Sequence, residues 1–271
     1  MQKGEPMDVK AEDLLLAALS AVAPGTILRE GLEHVISART GALIVIGDED
    51  GAAMICNGGF IVNVPYTPQR LFELAKMDGA IILDEGANHI LKANVHLVPD
   101  AALPTAETGM RHRTAERVSR QTDALVISIS QRRDVVSLYR GGSKLILEDI
   151  EVVLAKANQA LQTLQRYRSS LDEVAGRLTM LEFEGVATLG DVANVIRRSE
   201  MVLRVARDVG RLIIELGSDG RLVRMQADEL VAGVEDDYVM LLRDYIKEGA
   251  SRKGTSVRNK IAALSPEQLL D

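Results

Sequence analysis

The chain has 271 residues, of which 46% are hydrophobic and 26% are charged, so it is long enough for one large or two modest globular domains. Its formal net charge of −7 disfavours a dominant role as a nonspecific nucleic-acid binder, because that role needs a basic surface. The single cysteine, Cys56, excludes a disulfide within the chain, and the four histidines have no zinc-type spacing.

The N-terminal part is predicted to form two helices. They occupy residues 9–38 on either side of Pro24 and Gly25, a pair that stops a helix. Residues 14–23 are apolar, but Asp8 and two further acidic residues precede them, where a secretory signal peptide needs positive charge. No apolar run reaches the length of a membrane span. We therefore expect a cytoplasmic protein that does not contact a membrane.

The pattern changes between residues 41 and 147, where short runs rich in Val and Ile alternate with helical pieces. This alternation is typical of an α/β domain with a largely buried sheet. The predicted strands are 42–46, 52–56, 80–84, 89–98, 124–130 and 134–140, and the predicted helices are 68–76 and 114–121. Gly141 and Gly142 predict a turn near the end of this domain, and Cys56 is expected to be a small core residue.

Asp78 and Gly79 stand directly before the predicted strand at 80–84. Glycine lets a ligand approach the backbone closely. A carboxylate beside a phosphate site is a usual protein ligand of Mg²⁺ or Mn²⁺, with phosphate oxygens completing the shell. The alternative interpretation is a plain Asp-Gly turn.

Residues 109–117 place Arg111, His112 and Arg113 at the start of a predicted short helix. The N-terminus of a helix is already partly positive, so cations there cost stability unless an anion binds. With an anion present, the free amides and the basic side chains converge on it. The segment therefore favours a phosphate site, and a solvated basic helix end is the alternative.

The strands stop after residue 148, and the remainder is predicted to be helical. Apolar residues recur every seven positions in two helices, the second at about 189–216 and ended by Gly217, which suits long helices that pack on each other. These residues are Ile150, Ala157, Leu164, Leu171 and Leu178 in the first helix, and Val195, Val202, Val209 and Leu216 in the second. The predicted fold class is therefore an α/β (α+β, mixed-sheet) domain at 1–148 followed by an all-α domain at 149–271.

The C-terminal part contains further helical pieces to about residue 247 and then a basic segment at 247–260. Gly249 and Gly254 give this segment a flexible composition, and we interpret it as a solvated connector; contact with nucleic acid is the alternative. Residues 262–271 are predicted to begin another helix.

Asp78-Gly79-Ala80 and Arg111-His112-Arg113, in this order, resemble the two signature motifs of the diadenylate cyclase family. Supporting stretches lie at 40–47, 57–60, 93–99 and 124–131, and the likeness to the DNA-integrity-scanning branch of the family runs from about residue 20 to the C-terminus. The resemblance implies that the first domain is catalytic. It would condense two ATP molecules into cyclic di-AMP and two pyrophosphates, by attack of a ribose 3′-OH on an α-phosphate.

The resemblance also implies a role for each motif residue. Asp78 would bind Mg²⁺ or Mn²⁺ and help to polarise the 3′-OH, Arg111 and Arg113 would hold phosphates, and these three are the expected catalytic residues. The implied ATP-binding residues are Asp78, Gly79, Leu97, Met110, Arg111, His112, Arg113, Thr114 and Ser130. For His112, a structural strut at the helix start is the alternative to phosphate contact. Met110 stands where many relatives have a threonine, so a hydroxyl contact to the nucleotide is not provided there. Gln131 stands where membrane-anchored relatives have an acidic residue, so a second carboxylate for the metal is not provided.

The reaction joins two ATP molecules while each site binds one, so two sites must face each other, most simply across a two-fold axis. A monomer is then expected to bind ATP without cyclising it. The resemblance further implies that the helical domain assembles such dimers into an octamer. A helix–hairpin–helix DNA-binding domain would follow residue 271; we interpret its absence as a truncation, with a natural variant as the alternative, and expect DNA contact only through that domain.

Three other functions are alternatives to the cyclase interpretation. A catalytically silent nucleotide sensor on the same fold is disfavoured because Asp78, Arg111 and Arg113 are all present. A DNA-binding regulator with a helix-turn-helix at 189–207 is disfavoured by the acidic net charge and the uninterrupted seven-residue pattern. A generic nucleotide-binding enzyme has no support, because the sequence contains neither a P-loop nor a dinucleotide-binding glycine motif.

Overall fold

The computed structural model of the protein describes residues 9–131, 135–245, 254–265 and 268. The chain divides into two compact units, the first running to Asp149 and including Gly217–Asp219, the second comprising Ile150–Leu216 and the chain from Gly220 onward. Among the described residues, no helix combines the length and the apolar character needed to span a bilayer.

A mixed sheet of eight strands forms the centre of the first unit. The strands are β1 (Ala42–Ile46), β2 (Cys56–Asn57), β3 (Phe60–Pro65), β4 (Ala80–Leu83), β5 (His89–Leu97), β6 (Leu125–Ile129), β7 (Val136–Arg140) and β8 (Ser143–Ile146). Their spatial order is β2-β5-β4-β1-β6-β7-β8, and β3 also pairs with β5. β1 and β4 run parallel, whereas the other described pairs are antiparallel.

The described residues of the same unit form five helices: α1 (Val9–Ala21), α2 (Ile27–Ser37), α3 (Glu49–Ile55), α4 (Pro68–Leu74) and α5 (Met110–Gln121). Three of them begin at a side-chain cap. Thr26, Asp48 and Thr67 each accept a hydrogen bond from the backbone amide three residues further on. Such a cap satisfies one of the amides that a helix leaves unpaired at its start.

The middle of the sheet is buried on both faces, as the sequence predicts. Every residue of β1, β4 and β6 is buried, which is typical of strands covered by helices on each side. One core cluster joins these strands to α3 and α5 and includes Val45, Ile55, Leu97, Val118 and Tyr139.

Most predicted strands are confirmed, and one is wrong. β1, β4, β5, β6 and β7 match the predictions at 42–46, 80–84, 89–98, 124–130 and 134–140, although 134 lies outside the described residues. The prediction at 52–56 is wrong, because Asp48 caps a helix that continues to Ile55. Cys56 follows that helix and is half-buried rather than a core residue, and burial raises the pKa of its thiol. β3 and β8 were not predicted.

The second unit is helical. Its elements are α6 (Ile150–Glu184), α7 (Leu189–Leu216), α8 (Arg221–Val231), α9 (Val234–Tyr245) and α10 (Gly254–Ala262). A 3₁₀ turn at Gly217–Gly220 follows α7, and its first three residues belong to the first unit. The predicted seven-residue pattern is confirmed, since the core of this unit contains Ala157, Leu164, Leu171 and Leu178 of α6 and Val195, Val202, Val209 and Leu216 of α7. Gly217 has a φ of 52°, which suits the predicted end of the second helix.

The predicted connector at 247–260 is wrong in its second part, where α10 forms. Arg204 of α7 explains this helix, because its guanidinium donates hydrogen bonds to the carbonyl oxygens of Ile261, Ala262 and Leu264 at the end of α10. Residues 246–253 lie outside the described residues, as does half of the helix predicted at 262–271.

Leu164→Ala is expected to lower the free energy of unfolding of the helical unit by about 2–5 kcal/mol, because it removes a fully buried side chain from the α6–α7 core. Leu222→Ala is the matched control, since Leu222 is 63% exposed on α8. Urea denaturation followed by circular dichroism measures both variants, and equal losses would contradict the core position of Leu164.

Candidate functional site

The predicted site residues lie at one end of the strands of the sheet. β1 and β4 begin at this end, whereas the antiparallel β5 and β6 terminate at it. Gly41 precedes β1, Asp78 and Gly79 precede β4, Leu97 is the last residue of β5, and Ser130 follows β6. We call the positions of these five residues the site end of the sheet. The topology thus brings together residues that are well separated in the sequence.

Helix α5 brings Arg111 to the site end. A Cβ atom added to Gly41 would collide with the Arg111 guanidinium group and would lie 3.2 Å from the carbonyl oxygen of Ile129. The missing side chain at Gly41 therefore lets Arg111 lie over the start of β1. The sequence analysis did not single out Gly41, because its partner is distant along the chain.

Within the described ranges, the start of α5 has neither a side-chain cap nor an acidic residue in its first turn to compensate its positive charge. Its N-cap residue, Gly109, makes no side-chain cap, and the first turn contains no acidic residue. Arg111 and Arg113 occupy this turn, and in the described part of the chain neither guanidinium forms a hydrogen bond or an ion pair. Unpaired amides, the helix dipole and two cations together favour a bound anion.

His112 is held by a chain of hydrogen bonds. Its Nδ1 atom lies 2.9 Å from the hydroxyl oxygen of Tyr139, which lies 3.1 Å from Oε1 of Glu107. Nζ of Lys144 donates to the same Oε1 at 2.6 Å. These contacts fit the structural alternative for His112, in which it fixes the start of the helix.

The loop that precedes α5 is anchored by two helix residues that the sequence analysis did not identify. The buried Glu116 carboxylate accepts hydrogen bonds from the Thr105 hydroxyl at 2.6 Å and the Ala106 amide at 3.2 Å. Arg117 donates to the carbonyl oxygen of Leu103 at 3.0 Å. These bonds orient the start of α5, and a sequence pattern alone does not show which loop atoms a helix residue contacts.

Glu116→Gln is expected to destabilise the protein by about 1–3 kcal/mol at pH 7, because a buried charged hydrogen-bond acceptor is lost. Burial alone would raise the pKa of Glu116, but hydrogen bonds from Thr105 and Arg120, the Arg120 charge and the Ala106 amide together lower it from its ordinary 4.5. A carboxyl group whose pKa is lowered by folding contributes its full stabilisation when the pH is above its pKa in the unfolded state. This stabilisation is lost as the pH falls through its pKa in the folded state.

The stability difference between wild type and Glu116→Gln should therefore shrink as the pH falls from 7 to below the ordinary value of 4.5. Thermal unfolding over this pH range measures it. Glu73→Gln is the matched control, because Glu73 forms a solvent-exposed pair with Lys76. A constant difference for Glu116→Gln at all pH values would contradict the lowered pKa.

The Asp78 side chain is available to a ligand at the site end. It is exposed, and within the described ranges its carboxylate has no hydrogen bond or ion pair. The described residues contain no group of three His, Cys, Asp or Glu side chains that could hold a metal ion. One carboxylate is nevertheless sufficient for Mg²⁺ or Mn²⁺ when nucleotide phosphates supply further oxygens. The donor set thus fits a metal that binds together with a phosphate-containing ligand.

Gly79 is required by the packing of two strands. Its φ is 109°, and a Cβ there would lie 2.8 Å from the backbone carbonyl carbon of Asn94 in β5. A side chain at this position would therefore strain the backbone and push the strands apart. The pairing of β4 with β5 by itself explains this glycine.

The other predicted binding residues differ in exposure. Leu97 is 7% exposed and belongs to the core, so it offers only a small surface to a ligand, whereas Met110 is 83% exposed. Thr114 and Ser130 are half-buried.

A cavity of about 640 Å³ opens at the opposite end of the strands, where it is lined by Gly47, Asp48, Glu85 and Asp123 among others. None of the predicted site residues lines it. The predicted site is therefore the open site end of the sheet, which contains the anion-favouring start of α5, and not this cavity.

Comparison with known proteins covers both units. Residues 29–144 match the family described as DAC, "DisA bacterial checkpoint controller nucleotide-binding", and residues 147–271 match the "DisA bacterial checkpoint controller linker region". The DNA integrity scanning protein DisA of Carboxydothermus hydrogenoformans is 52% identical over 260 residues, which are 96% of this chain and 74% of that protein. This chain is also similar to the DisA protein of Symbiobacterium thermophilum, with 52% identity over 253 residues, which are 93% of this chain and 72% of that protein. It is similar to the DisA protein of Clostridium botulinum strain Langeland as well, with 47% identity over 265 residues, which are 98% of this chain and 74% of that protein.

Proposed function

Because the chain belongs to the DisA family of diadenylate cyclases, we propose that it condenses two ATP molecules into cyclic di-AMP and two pyrophosphates. The observation that carries this proposal is the start of α5, where no side chain caps the helix. Among the described residues, its two arginines and the Asp78 carboxylate at the same end of the sheet have no hydrogen-bond or ion-pair partner. A metal-bound triphosphate supplies both the anion that the helix end favours and the cation that Asp78 favours.

In the proposed reaction, the ribose 3′-oxygen of one ATP attacks the α-phosphorus of the other. The bond from this phosphorus to pyrophosphate breaks, the 3′-OH releases its proton to solvent water, and a second round closes the ring. Arg111 and Arg113 stabilise the negative charge on the reacting phosphate and on the departing pyrophosphate. Asp78 would hold Mg²⁺ or Mn²⁺, and that ion would supply neutralisation of phosphate charge and a more acidic hydroxyl.

The remaining predicted residues bind the rest of the nucleotide in this proposal. Thr114 and the free amides of α5 add hydrogen bonds to phosphate, and Gly79 leaves the backbone accessible to ribose or phosphate. Leu97 and Ser130 contact the nucleoside from the ends of their strands, and Met110 covers it from the start of α5.

The assembly follows from the chemistry. Two sites, each with one ATP, meet face to face across a two-fold axis, and a monomer binds ATP without cyclising it. We further propose that residues 149–271 are an oligomerisation domain that joins such dimers into an octamer, and that residues 1–148 form the catalytic domain. The proposed substrate, ATP, favours a cytoplasmic location.

Incubation of the purified protein with ATP and Mn²⁺ or Mg²⁺ tests the proposal, with products separated by chromatography and identified by mass. Cyclic di-AMP and pyrophosphate in a 1:2 ratio are expected. With 3′-deoxy-ATP no cyclic product should form, because the attacking oxygen is missing. Binding of ATP by the assembled protein without any product would contradict the cyclase proposal and favour a nucleotide sensor.

A further inference from the structure

We propose that Tyr139 and Glu107 are positioning residues that hold the His112 imidazole in one orientation with a proton on Nδ1. Their effect on catalysis rests on the proposed cyclase function, whereas the proton assignment rests on the contacts of the three side chains and is independent of that function.

The three residues come from different parts of the first unit. Glu107 lies in the loop before α5, His112 in the first turn of α5, and Tyr139 in β7. The Tyr139 side chain is completely buried in the core cluster between the sheet and α5, and its ring centroid lies 6.2 Å from that of His112. The hydroxyl oxygen of Tyr139 is within hydrogen-bond distance of both other residues, at 2.9 Å from Nδ1 and 3.1 Å from Oε1.

The position of each proton follows from the ion pair between Glu107 and Lys144, at the end of this series of hydrogen bonds that is farthest from His112. Glu107 lies 2.6 Å from the Lys144 ammonium group, so its carboxylate is ionised and can only accept hydrogen bonds. Burial, and next the Glu107 charge, raise the pKa of Tyr139, so its phenol keeps its proton. A phenol has one proton to donate, and an acceptor-only carboxylate at 3.1 Å takes it. The phenol oxygen is then an acceptor toward His112, and Nδ1 of His112 is the donor.

This arrangement ties the first turn of α5 to the sheet. His112 stands between Arg111 and Arg113, so a fixed imidazole also fixes the backbone that carries both guanidinium groups. A ring flip of His112 would break the bond to Tyr139. Catalysis of phosphoryl transfer depends on alignment, and a displacement of about 1 Å can reduce a rate by about 100-fold. Loss of the Tyr139 hydroxyl should therefore affect the rate more than ATP binding.

The proton assignment is tested on the intact protein by NMR after ¹⁵N labelling of its histidines. The chain has only four histidines, and the His112→Asn variant identifies the signals of His112. In wild type, Nδ1 of His112 should carry a hydrogen-bonded proton, and Tyr139→Phe should change the His112 shifts alone. A wild-type His112 protonated only on Nε2 would overturn the proposal. This measurement needs no catalytic activity, so it is separable from a failure of the proposed function.

The positioning role is tested by kinetics with Tyr139→Phe, which removes one oxygen and keeps the ring. The expected result is about a 10-fold lower kcat, the equivalent of one hydrogen bond, with KM for ATP within about two-fold of wild type. Tyr66→Phe is the matched control, because Tyr66 is also a buried phenol but its hydroxyl approaches the carbonyl oxygens of Ile27 and Leu28. An equal kcat for the two variants would overturn the positioning role.

Two variants of Glu107 keep this test independent of core packing. Glu107→Gln retains an acceptor for the Tyr139 proton and should keep kcat within about three-fold of wild type, whereas Glu107→Ala should lose about 10-fold. Equal effects of the two substitutions would show that acceptor geometry at Glu107 is irrelevant and would contradict the proposal. Thermal unfolding of each variant confirms that it is folded.

Discussion

Asp78→Asn is expected to reduce cyclic di-AMP synthesis by at least about 100-fold while the protein keeps its fold and its assembly. The substitution keeps the shape of the side chain and removes the charge that would hold the metal. The carboxylate is exposed and has no partner in the described part of the chain, so its charge does not support the fold. Turnover with saturating ATP measures the effect, and size-exclusion chromatography with light scattering measures the assembly.

Asp123→Asn is the matched control for this experiment. Asp123 is also an exposed carboxylate close to the start of a buried strand, but it lines the cavity at the opposite end of the sheet. Its substitution should leave the rate within about two-fold of wild type, as is usual for surface changes away from a site. Near-wild-type turnover of Asp78→Asn would contradict the proposal that Asp78 holds the metal.

Arg111→Ala is expected to lower kcat/KM by about 100-fold, because a charge-assisted contact to phosphate is lost at the reacting centre. The loss should appear in both ATP affinity and turnover, since the guanidinium would contact phosphate before and during the reaction. Arg70→Ala is a suitable control, because Arg70 is an exposed arginine whose guanidinium donates to the carbonyl oxygen of Pro65. Steady-state kinetics and calorimetric ATP titration measure both variants.

Gly41→Ala tests the role of Arg111 without substituting Arg111 itself. The new Cβ would occupy the place of the Arg111 guanidinium, which is the far end of a flexible side chain and can move at little cost in stability. The Ile129 carbonyl oxygen, 3.2 Å from the new Cβ, needs to shift by only a few tenths of an ångström. The rate should therefore fall while the melting temperature changes little. Both substitutions remove the action of the same group, the Arg111 guanidinium. The double variant should therefore be no slower than Arg111→Ala alone. Additive losses would show that Gly41 acts independently of Arg111.

Periodic patterns in the sequence predicted much of the fold because they depend on local geometry. The seven-residue recurrence of α6 and α7 marks the faces that meet, and the apolar runs of β1, β4 and β6 mark strands covered on both sides. The run at 52–56 failed because a short apolar run does not distinguish a strand from a buried helix. The cap at Asp48, three residues before Gly51, was the local signal for a helix.

The candidate site was predictable only in part. The motifs at Asp78 and Arg111 were visible in the sequence, but their meeting at one end of the sheet depends on the parallel pairing of β1 with β4. Gly41, Glu116 and Tyr139 were not identified. Each acts through a partner in another element, and a single sequence contains no signal that pairs residues across such distances.

The regular packing of α6 limits how the length of this helix can change in evolution. The helix has 35 residues and its core positions recur every seventh residue. One inserted residue would rotate all following positions by about 100° and turn Leu171 and Leu178 away from the core. Seven inserted residues add about two full turns and restore the buried face. Related chains are therefore expected to lengthen or shorten this helix in steps close to seven residues.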